Sequence, residues 1–472
     1  MLRGSAESWN VFPFLRKRRG ERVSQRPRDV SNEAWNGSLA LPVTSEASTG
    51  SEPPRPVRPR GPLSAQLRVP GSRSITNRAL VCAALADGPS LLLGATASDD
   101  TEAMREGLRA LGVAIRVGSD GWHVEGAAGR LPAAGARVDV RSSGTTARFL
   151  TAVAALAAGP NTLDGTAQIR RRPLGDLSDA MSALGAGVDV QGESGGPPVV
   201  VAGGGLPGGP ATIDASRSSQ FLTGILLAAP YAERDVELTF AGGVLVSRAF
   251  AELTLEVMTA FGAKMELTES GARVEAGRGY RGQRYAIEPD AQSAVYPLAA
   301  AAIAGGRVLV QGISPDSRQT DLRLLDILEQ MGCRVVRSAE GIALEAPEGS
   351  LRAVDADLNS IPDATLALAV VALFADGPST LRNLGHLTIK ESDRLGGLQT
   401  ELTRLGAGVE VGPDWLRIEP APLHGARIET YDDHRMAMSF ALAGLRVPGV
   451  EIAGPECVAK TWPDYFDALE RL

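Results

Sequence analysis

The sequence predicts an α/β protein made of six repeated units, three in each of two domains. The main observation is a recurring segment in which an Ala-rich helix is followed by a turn and a strand-like run, as in VCAALADGPSLLL. Five copies carry a turn glycine with a period of about 72 residues, at Gly88, Gly159, Gly306, Gly377 and Gly449. A copy without this glycine, LLAAPYAERDVELTF, fills the one double interval, which makes the count six.

A second family of helices supports the same count. Its members end at Gly112, Gly185, Gly262, Gly332 and Gly406, each after an amphipathic segment. A glycine just past a helix readily takes the left-handed conformation that ends it. Each unit is therefore expected to contain two helices and several strands, and DYFDALERL is the corresponding helix of the sixth unit.

The domain limits follow from the unit count and from a change in composition. Residues 1–60 contain 11 Lys or Arg against 6 Asp or Glu, with scattered Pro and Ser, so a disordered basic tail is expected there. The first three-unit domain is predicted over residues 71–288. The second is predicted over residues 61–70 together with 289–472, with the active site in the cleft between the domains.

Composition excludes several classes of protein. The formal net charge of −7 disfavours a dedicated nucleic-acid binder, and no uncharged apolar run approaches the roughly 18 residues of a membrane span. The three cysteines form no CxxC pair and the four histidines no HExxH motif, so no structural zinc or His-bound catalytic metal is expected. A monomer in the reducing cytoplasm is predicted.

Polar motifs stand where the helices are expected to begin. Those that open the first helix of each unit are PGSRSITNR, RSSGTTAR, SRSSQF, PDAQSAV, NSIPDAT and YDDHRMAM. Free N–H groups at helix starts favour anions, although Ser, Thr and Asp are also ordinary N-caps. Neither GxxxxGK[ST] nor a GxGxxG after a strand is present, which disfavours ATP and NAD. A site for several anionic groups, built from both domains, is therefore indicated.

The basic residues in these motifs support that interpretation. Only four of the 48 Lys and Arg residues are lysines, and two of them, Lys390 and Lys460, lie in the motifs. Arginine serves equally well on a surface, so a compact charge with a movable pKa is indicated at both positions. Arginine suits bidentate recognition of carboxylate and phosphate, and those beside helix starts are Arg78, Arg148, Arg172, Arg394 and Arg435.

Acidic residues near these cations offer proton transfer. Asp363, Glu391 and Asp433 lie in the motifs NSIPDAT, IKESDR and YDDHRMAM. A carboxylate beside a reacting group can act as a general acid or base. For Glu391, Asp393 and Asp433, simple ion pairing with Arg394 and Arg435 is an equally good interpretation of the local sequence.

In their order along the chain, the motifs PGSRSITNR, SDDTEAM, SGTTAR, RRRPLGDL, SRSSQF, NSIPDAT, IKESDRL, YDDHRMAM and AKTWPDYF resemble those of the 5-enolpyruvylshikimate-3-phosphate synthases. The resemblance covers residues 63–472. It implies two domains, each of three βαβαββ units packed as an inside-out α/β barrel. It also implies a transferase of the shikimate pathway, which makes enolpyruvylshikimate 3-phosphate and phosphate from phosphoenolpyruvate and shikimate 3-phosphate. No metal or organic cofactor is implied.

The resemblance also implies roles for individual residues. Asp363 corresponds to the acceptor of the 5-hydroxyl proton, Glu391 to the acid that protonates the methylene carbon, and Lys390 to a further catalytic residue. The residues matched to the shikimate 3-phosphate site are Arg73, Ser74, Arg78, Ser218, Ser219, Gln220, Ser247, Asp363, His386 and Lys390. Those matched to the phosphoenolpyruvate site are Arg73, Gly144, Arg172, Gln220, Arg394, Arg435 and Lys460.

Three positions depart from the pattern of the family. Arg73 stands where Lys is usual, Phe250 where many relatives have Tyr, and His386 where many have Asn. Arginine keeps the charge of lysine but cannot readily lose its proton. We therefore expect Arg73 to bind phosphate while changing the affinity for phosphoenolpyruvate and for its mimic glyphosate.

Two other functions are alternatives for this sequence. A UDP-N-acetylglucosamine enolpyruvyl transferase would carry a reactive Cys in the loop that here reads DGTAQIRRRP, which contains none. A catalytically inactive protein that binds a metabolite of the shikimate pathway is supported only by Arg73. The retained Asp363, Lys390, Glu391 and Lys460 oppose it.

Overall fold

The structure is a computed structural model that describes residues 52–472, apart from the side chain of Ile389. The tail predicted for residues 1–60 lies outside the described residues as far as residue 51. Residues 52–60 are described, and part of this segment is a strand. No helix in the described range is long and apolar enough to cross a membrane.

Helices and strands alternate along the described chain. The strands are β1 (Arg55–Pro56), β2 (Leu63–Leu67), β3 (Pro89–Leu93), β4 (Ile115–Gly118), β5 (Gly121–Glu125), β6 (Arg137–Asp139), β7 (Asn161–Asp164), β8 (Val188–Val190), β9 (Val199–Val201), β10 (Gly209–Ala215), β11 (Val236–Leu245), β12 (Met265–Leu267), β13 (Gly271–Val274), β14 (Arg284–Ala286), β15 (Gly306–Gln311), β16 (Arg334–Ser338), β17 (Gly341–Glu345), β18 (Asp355–Asp357), β19 (Ser379–Arg382), β20 (Gly408–Val411), β21 (Trp415–Glu419), β22 (Arg427–Ile428) and β23 (Glu451–Ile452). The helices are α1 (Arg73–Leu85), α2 (Asp99–Ala110), α3 (Gly144–Val153), α4 (Ala167–Arg170), α5 (Gly175–Ala183), α6 (Ser219–Ala228), α7 (Arg248–Ala260), α8 (Ala291–Ala304), α9 (Arg323–Gln330), α10 (Thr365–Ala372), α11 (Arg394–Arg404), α12 (His434–Ala443) and α13 (Tyr465–Glu470).

Six small sheets repeat one topology, as the six-unit prediction requires. Five of them have four strands, in the orders β14-β3-β5-β4, β6-β7-β9-β8, β10-β11-β13-β12, β2-β15-β17-β16 and β18-β19-β21-β20. In each, the first pair is parallel and the remaining pairs are antiparallel. The sixth sheet, β1-β23-β22, keeps the parallel pair and gains β1 as an antiparallel edge.

The edge strand β1 lies inside the segment predicted as tail. Arg55 and Pro56 pair with β23, Val57 is buried in a hydrophobic core, and Arg60 donates its backbone N–H to the carbonyl of Leu445. Residues 55–60 therefore make regular contacts with lobe B, although they lie inside the segment predicted as tail. Such a short Pro-containing strand has no apolar alternation to reveal it, and Pro is tolerated because the strand is an edge.

Two hydrophobic cores divide the described chain, and we call the parts around them lobe A and lobe B. The core of lobe A takes its residues from Ile75 to Ile287. The core of lobe B takes its residues from 57–69 and from 294–469. The domain limits predicted from the sequence, at residues 71 and 288, stay a prediction.

The helices that open each unit are the buried ones. In α10, TLALAVVA, every residue is buried, and this helix packs against α8 and α12. In lobe A, α6 packs against α3, which also opens a unit, and against α7, which belongs to the second family of helices. A helix that is apolar all round must be covered on all sides, so the helices lie inside and the small sheets outside. The polar starts of these helices reach the surface of each lobe at one end.

The chain crosses between the lobes at two segments that are hydrogen-bonded to each other. The N–H of Ser72 donates to the carbonyl of Glu288 at 2.8 Å, and that of Asp290 donates to the carbonyl of Pro70 at 2.8 Å. A Cβ at Gly71 would collide with the carbonyl of Gly94, so only glycine fits this crossing. Helices α1 and α8, one from each lobe, therefore begin side by side.

Candidate active site

A polar cavity of about 570 Å³ is lined by helix starts of both lobes. The predicted site residues on its wall are Arg73, Ser74, Arg78, Gly144, Arg172, Ser218, Ser219, Gln220, Ser247, Asp363, Lys390, Glu391, Arg435 and Lys460. Two predicted residues, Arg394 and His386, do not line it. The cavity has the size of a small-molecule site, and its wall carries many more cations than such sites usually do.

Arg78 is fixed inside lobe A by groups of its own chain. Its Nε donates to Thr254 Oγ1 at 2.8 Å, its Nη1 to the carbonyl of Ser74 at 2.8 Å, and its Nη2 to the carbonyl of Phe250 at 3.1 Å. Burial lowers the pKa of Arg78 to about 10, so the group stays protonated at neutral pH. It therefore contributes a fixed positive charge at the floor of the cavity.

Serines at two helix starts form the adjoining wall of lobe A. Ser218 caps α6 by accepting a hydrogen bond from the N–H of Gln220 at 3.2 Å. Ser247 precedes α7 with φ of 51°, a left-handed conformation that is strained for a residue with a side chain. Strain of this kind concentrates at binding and catalytic positions, and the exposed N–H groups here suit a phosphate.

A cluster of arginines surrounds Gly144 at the start of α3. Arg148 Nη1 donates to Gln220 Oε1 at 2.5 Å, and Arg148 Nε is buried without a partner among the described residues. Burial and the charges of Arg172 and Arg217 lower the pKa of Arg148 to about 10. A Cβ on Gly144 would stand 2.5 Å from Arg148 Nη1 and 3.0 Å from Arg172 Nη1. Glycine thus keeps the space beside these cations open for an anion.

Arg394 is the centre of the lobe B wall, behind the cavity surface. Its side chain is 0% exposed and contacts three carboxylates. Nη1 lies 2.9 Å from Asp363 Oδ1, Nη2 lies 2.9 Å from Glu391 Oε2, and Nε lies 2.7 Å from Asp433 Oδ2. The ion pairing that the sequence left as an alternative is present for Glu391 and Asp433, whereas Asp393 caps α11 by accepting a hydrogen bond from the N–H of Gly396. Arg394 therefore positions these carboxylates in this structure and has no face on the cavity.

Asp363 and Glu391, the two predicted proton-transfer residues, are both strongly ionised. Arg435 Nη2 lies 3.1 Å from Asp363 Oδ2, and Lys460 Nζ lies 3.3 Å from Glu391 Oε1. Burial acts to raise the pKa of Asp363, but Arg435 and Arg394 outweigh it and hold this pKa well below its usual range. Burial acts likewise on Glu391, where Arg394 and Lys460 outweigh it and lower the pKa to about 2.

His386 lies away from the cavity wall. It belongs to the 3₁₀ turn Gly385–Ile389, and its Nε2 is buried without a hydrogen-bond partner among the described residues. Burial lowers the pKa of His386, which favours the neutral ring. The structure gives no support for a direct contact between this side chain and a ligand in the cavity.

Sequence reasoning missed several side chains that line the cavity, Gln292, Asp321 and His434 among them. Gln292 and His434 lie in PDAQSAV and YDDHRMAM, two of the motifs expected to open helices, and Asp321 lies in the turn that precedes α9. Only their place at a helix start could have singled them out, because a neutral amide or one more acid carries no distinctive signal. Among the described residues, no group of three or more His, Cys, Asp or Glu could hold a metal ion.

Asp321 is a buried acid whose ionisation should cost stability. Burial and the charge of Asp363 raise its pKa to about 7. Since this lies above the unfolded value of about 3.9, the contribution of Asp321 to stability is fully present below about pH 4 and is lost as the pH rises through 7. We expect Asp321→Asn, which mimics the neutral acid, to raise the free energy of unfolding at pH 8 by on the order of 2 kcal/mol.

Urea unfolding of both proteins at several pH values measures this difference. The gain should shrink as the pH is lowered from 8 towards 4, because the wild-type side chain then becomes neutral as well. An equal loss of stability at every pH would contradict the assignment.

Comparison with known proteins shows which family the chain belongs to. The family model of EPSP synthase (3-phosphoshikimate 1-carboxyvinyltransferase) matches residues 57–469. A 3-phosphoshikimate 1-carboxyvinyltransferase of Methanoculleus marisnigri is 46% identical over 411 residues, which are 87% of this chain and 97% of the relative. One from Nostoc punctiforme is 43% identical over 408 residues, 86% of this chain and 95% of the relative.

The fold agrees as well. A solved structure of EPSP synthase from Acinetobacter baumannii matches with a TM-score of 0.78 at 26% identity, covering 89% of this chain and 98% of that one. The two-domain inside-out α/β fold expected from the motifs is thus confirmed. The chain belongs to the EPSP synthase (3-phosphoshikimate 1-carboxyvinyltransferase) family.

Proposed function

We propose that the cavity transfers the 1-carboxyvinyl group of phosphoenolpyruvate to the 5-hydroxyl of shikimate 3-phosphate and releases phosphate. The observation that carries this proposal is the pairing of Asp363 and Glu391 on one buried guanidinium, Arg394, beside Arg435 and Lys460. Two carboxylates that can exchange protons thereby face a cavity rich in cations, and both substrates are anions. Phosphoryl and carboxylate groups are stabilised by such fixed charges.

The substrates divide between the two ends of the cavity. We assign the phosphate of shikimate 3-phosphate to the serines and Arg78 of lobe A. We assign phosphoenolpyruvate to the cations that converge from both lobes, which are Arg73, Arg172, Arg435 and Lys460. Gln220, which is bonded to Arg148 and Thr145, lies between the two groups. Holding two reactants in one orientation supplies a large part of catalysis.

The reaction proceeds by addition and then elimination. The oxygen of the 5-hydroxyl attacks C2 of phosphoenolpyruvate, its proton passes to Asp363, and C3 takes a proton from Glu391. In the elimination, phosphate leaves C2 and Glu391 takes a proton back from C3, which restores the double bond. Lys390, exposed at the cavity wall, is assigned to the same proton transfers and to the negative charge that develops during them.

Substrate binding prepares both carboxylates for this chemistry. With a pKa of about 2, Glu391 is ionised at neutral pH and has no proton to give. When the anionic groups of phosphoenolpyruvate contact Lys460 and Arg435, those cations stabilise the carboxylates less. The pKa of Glu391 and the basicity of Asp363 then rise. Binding of phosphoenolpyruvate thus prepares Glu391 to give a proton and Asp363 to accept one.

Two experiments separate this function from its alternatives. Transfer to UDP-N-acetylglucosamine in place of shikimate 3-phosphate would favour the related enolpyruvyl transferase. Complementation of a bacterial strain that needs aromatic amino acids because it lacks this activity tests the enzyme in the cell. Failure to complement, with clear binding of shikimate 3-phosphate, would favour a metabolite-binding protein.

Arg73→Lys is expected to change the KM for phosphoenolpyruvate, and the inhibition by glyphosate, by about three- to tenfold. The Arg73 guanidinium lies 3.4 Å from Asp100 Oδ2 through Nη1 and 3.0 Å from Gln292 Oε1 through Nη2. A single ammonium cannot keep the planar geometry of both contacts. Steady-state kinetics and glyphosate inhibition measure the effect. Unchanged KM and inhibition would mean that Arg73 does not set this affinity.

The wider setting of the enzyme is also part of the proposal. We propose that it acts as a monomer in the cytoplasm. All the cations and carboxylates of the cavity come from one chain, and the three cysteines are unpaired thiols, which suits a reducing compartment. We further propose that the lobes correspond to the predicted domains over residues 71–288 and over residues 61–70 with 289–472.

A further inference from the structure

The side-chain amide of Gln292 contacts three charged groups of the proposed site and has no part in the roles assigned so far. Its Oε1 accepts hydrogen bonds from Arg73 Nη2 at 3.0 Å and from Arg435 Nη2 at 2.7 Å. Its Nε2 donates to Asp363 Oδ2 at 2.9 Å. One neutral side chain thereby joins a cation of lobe A, a cation of lobe B and the proposed base.

These partners fix which way the amide points. Guanidinium groups can only donate hydrogen bonds, and an ionised carboxylate can only accept them. The reversed amide would put its NH₂ against two donors and its oxygen against a carboxylate, so all three contacts would become repulsive. The amide therefore has one orientation, and in that orientation its hydrogen bonds fix the positions of Arg73, Arg435 and Asp363.

The backbone that carries Gln292 is held equally firmly. Gln292 is the second residue of α8, and Arg73 is the first residue of α1, which begins beside it at the crossing between the lobes. Gln319 braces this start of α8. Its Nε2 donates to the carbonyl of Pro289 at 2.8 Å, and its Oε1 accepts from the N–H of Ala291 at 3.0 Å. The amide is thus presented from a rigid base.

A neutral acceptor suits this place better than a charged one. Two guanidinium groups held next to each other repel, and a carbonyl dipole between them reduces that repulsion. A carboxylate there would neutralise the positive charge that is needed for an anionic substrate, and it would repel Asp363. An amide aligns both cations and leaves their net charge available.

We infer that Gln292 is a positioning residue of this site, which holds Arg73 and Arg435 side by side for phosphoenolpyruvate and keeps Asp363 oriented. This inference rests on the proposed function, since the substrate is named by it. Gln292 itself need not touch the reacting atoms. Its effect is on the binding of phosphoenolpyruvate and on the proton transfer by Asp363, and it leaves the serine end of lobe A unchanged.

The test compares the full-length wild type with Gln292→Met, Gln292→Glu and the control Gln330→Met, an exposed helical glutamine outside the cavity. Gln292→Met keeps the volume and removes all three hydrogen bonds. It should raise the KM for phosphoenolpyruvate about tenfold to a hundredfold, while the Kd of shikimate 3-phosphate, whose phosphate is assigned to the serines and Arg78, changes much less. The control should match the wild type in every measurement.

Gln292→Glu provides a second readout that a merely structural role would not produce. The new carboxylate can still accept from both arginines but lies against Asp363. The acidic limb of the kcat/KM profile should therefore move to higher pH. A Gln292→Met protein with wild-type KM and pH profile would overturn the inference. The inference would also be overturned if the loss of kcat in Gln292→Met were fully explained by a lower melting temperature of the variant.

Binding is measured apart from turnover so that the two proposals can fail separately. Calorimetry gives the Kd of phosphoenolpyruvate in the presence of shikimate 3-phosphate for each protein. A wild type that binds both compounds without releasing phosphate refutes the proposed function. If Gln292→Met then binds phosphoenolpyruvate at least tenfold more weakly than that wild type does, the positioning role stands; equal binding overturns it.

Discussion

Replacing Asp363 with asparagine is expected to lower kcat by roughly 10²- to 10⁴-fold, the usual loss when a general base is removed. Asparagine keeps the shape of the side chain but cannot accept the proton of the 5-hydroxyl. The KM values for both substrates should stay the same or fall, because a negative charge beside two anionic substrates has been removed. Initial rates of phosphate release over a range of both substrates measure this split.

The control for this variant is Asp355→Asn. Asp355 also pairs with an arginine, Arg382, but at an exposed site in lobe B away from the cavity. The Asp355→Asn variant should have the kcat of the wild type. Arg394 and Arg435 each lose one counter-charge in Asp363→Asn. Thermal unfolding shows whether the variant protein still folds normally. A well-folded Asp363→Asn protein with kcat within tenfold of the wild type would exclude Asp363 as the base.

Replacing Arg394 with methionine should have the largest effect on stability and also abolish activity. Asp433 is 0% exposed. Among the described residues, its close counter-charges are this guanidinium and the adjacent His434, whose pKa burial holds well below its usual value. Leaving buried carboxylates without their cation costs about 3–5 kcal/mol of the free energy of unfolding. Denaturant unfolding at pH 7 measures the loss. Arg382→Met, which breaks an exposed pair, should cost less than about 1 kcal/mol.

The pH dependence of this loss is a separate expectation. In the wild type, Arg394 helps to hold the pKa values of Asp363 and Glu391 below their usual range, so the stability that it contributes through them is present above their unfolded pKa values of about 4. Stability of this kind is lost as the pH falls through the lowered pKa. The variant should therefore come closer to the wild type at about pH 3 than at pH 7. A loss below 1 kcal/mol that does not change with pH would contradict the central place of Arg394.

Much of the fold could be predicted because its signals are local. A glycine that ends a helix and an apolar run that forms a buried strand are each determined within a few residues, and their repetition revealed six units. The segment around Arg55 and Pro56 could not be predicted. Its pairing with β23 depends on chain nearly four hundred residues away, and its own composition resembles a tail.

The candidate site, too, could be predicted only in part. Motifs at helix starts indicated which residues meet, because the buried helices of each lobe begin at one end. They did not indicate which partners each side chain would choose. Arg394 is expected on the wall of the cavity, yet all three nitrogen atoms of its guanidinium group contact carboxylates, two of which come from distant motifs. Gln292 could not be predicted because the side chains that its amide contacts lie 71 to 219 residues away along the chain.

The most direct test of the proposed transfer is phosphate release by the full-length chain supplied with phosphoenolpyruvate and shikimate 3-phosphate. We expect release only when both compounds are present, in a one-to-one ratio with the enolpyruvyl product, and we expect it to be lost in Asp363→Asn. Release that needs UDP-N-acetylglucosamine instead would contradict the proposed function. Tight binding of shikimate 3-phosphate with no phosphate released would contradict it as well.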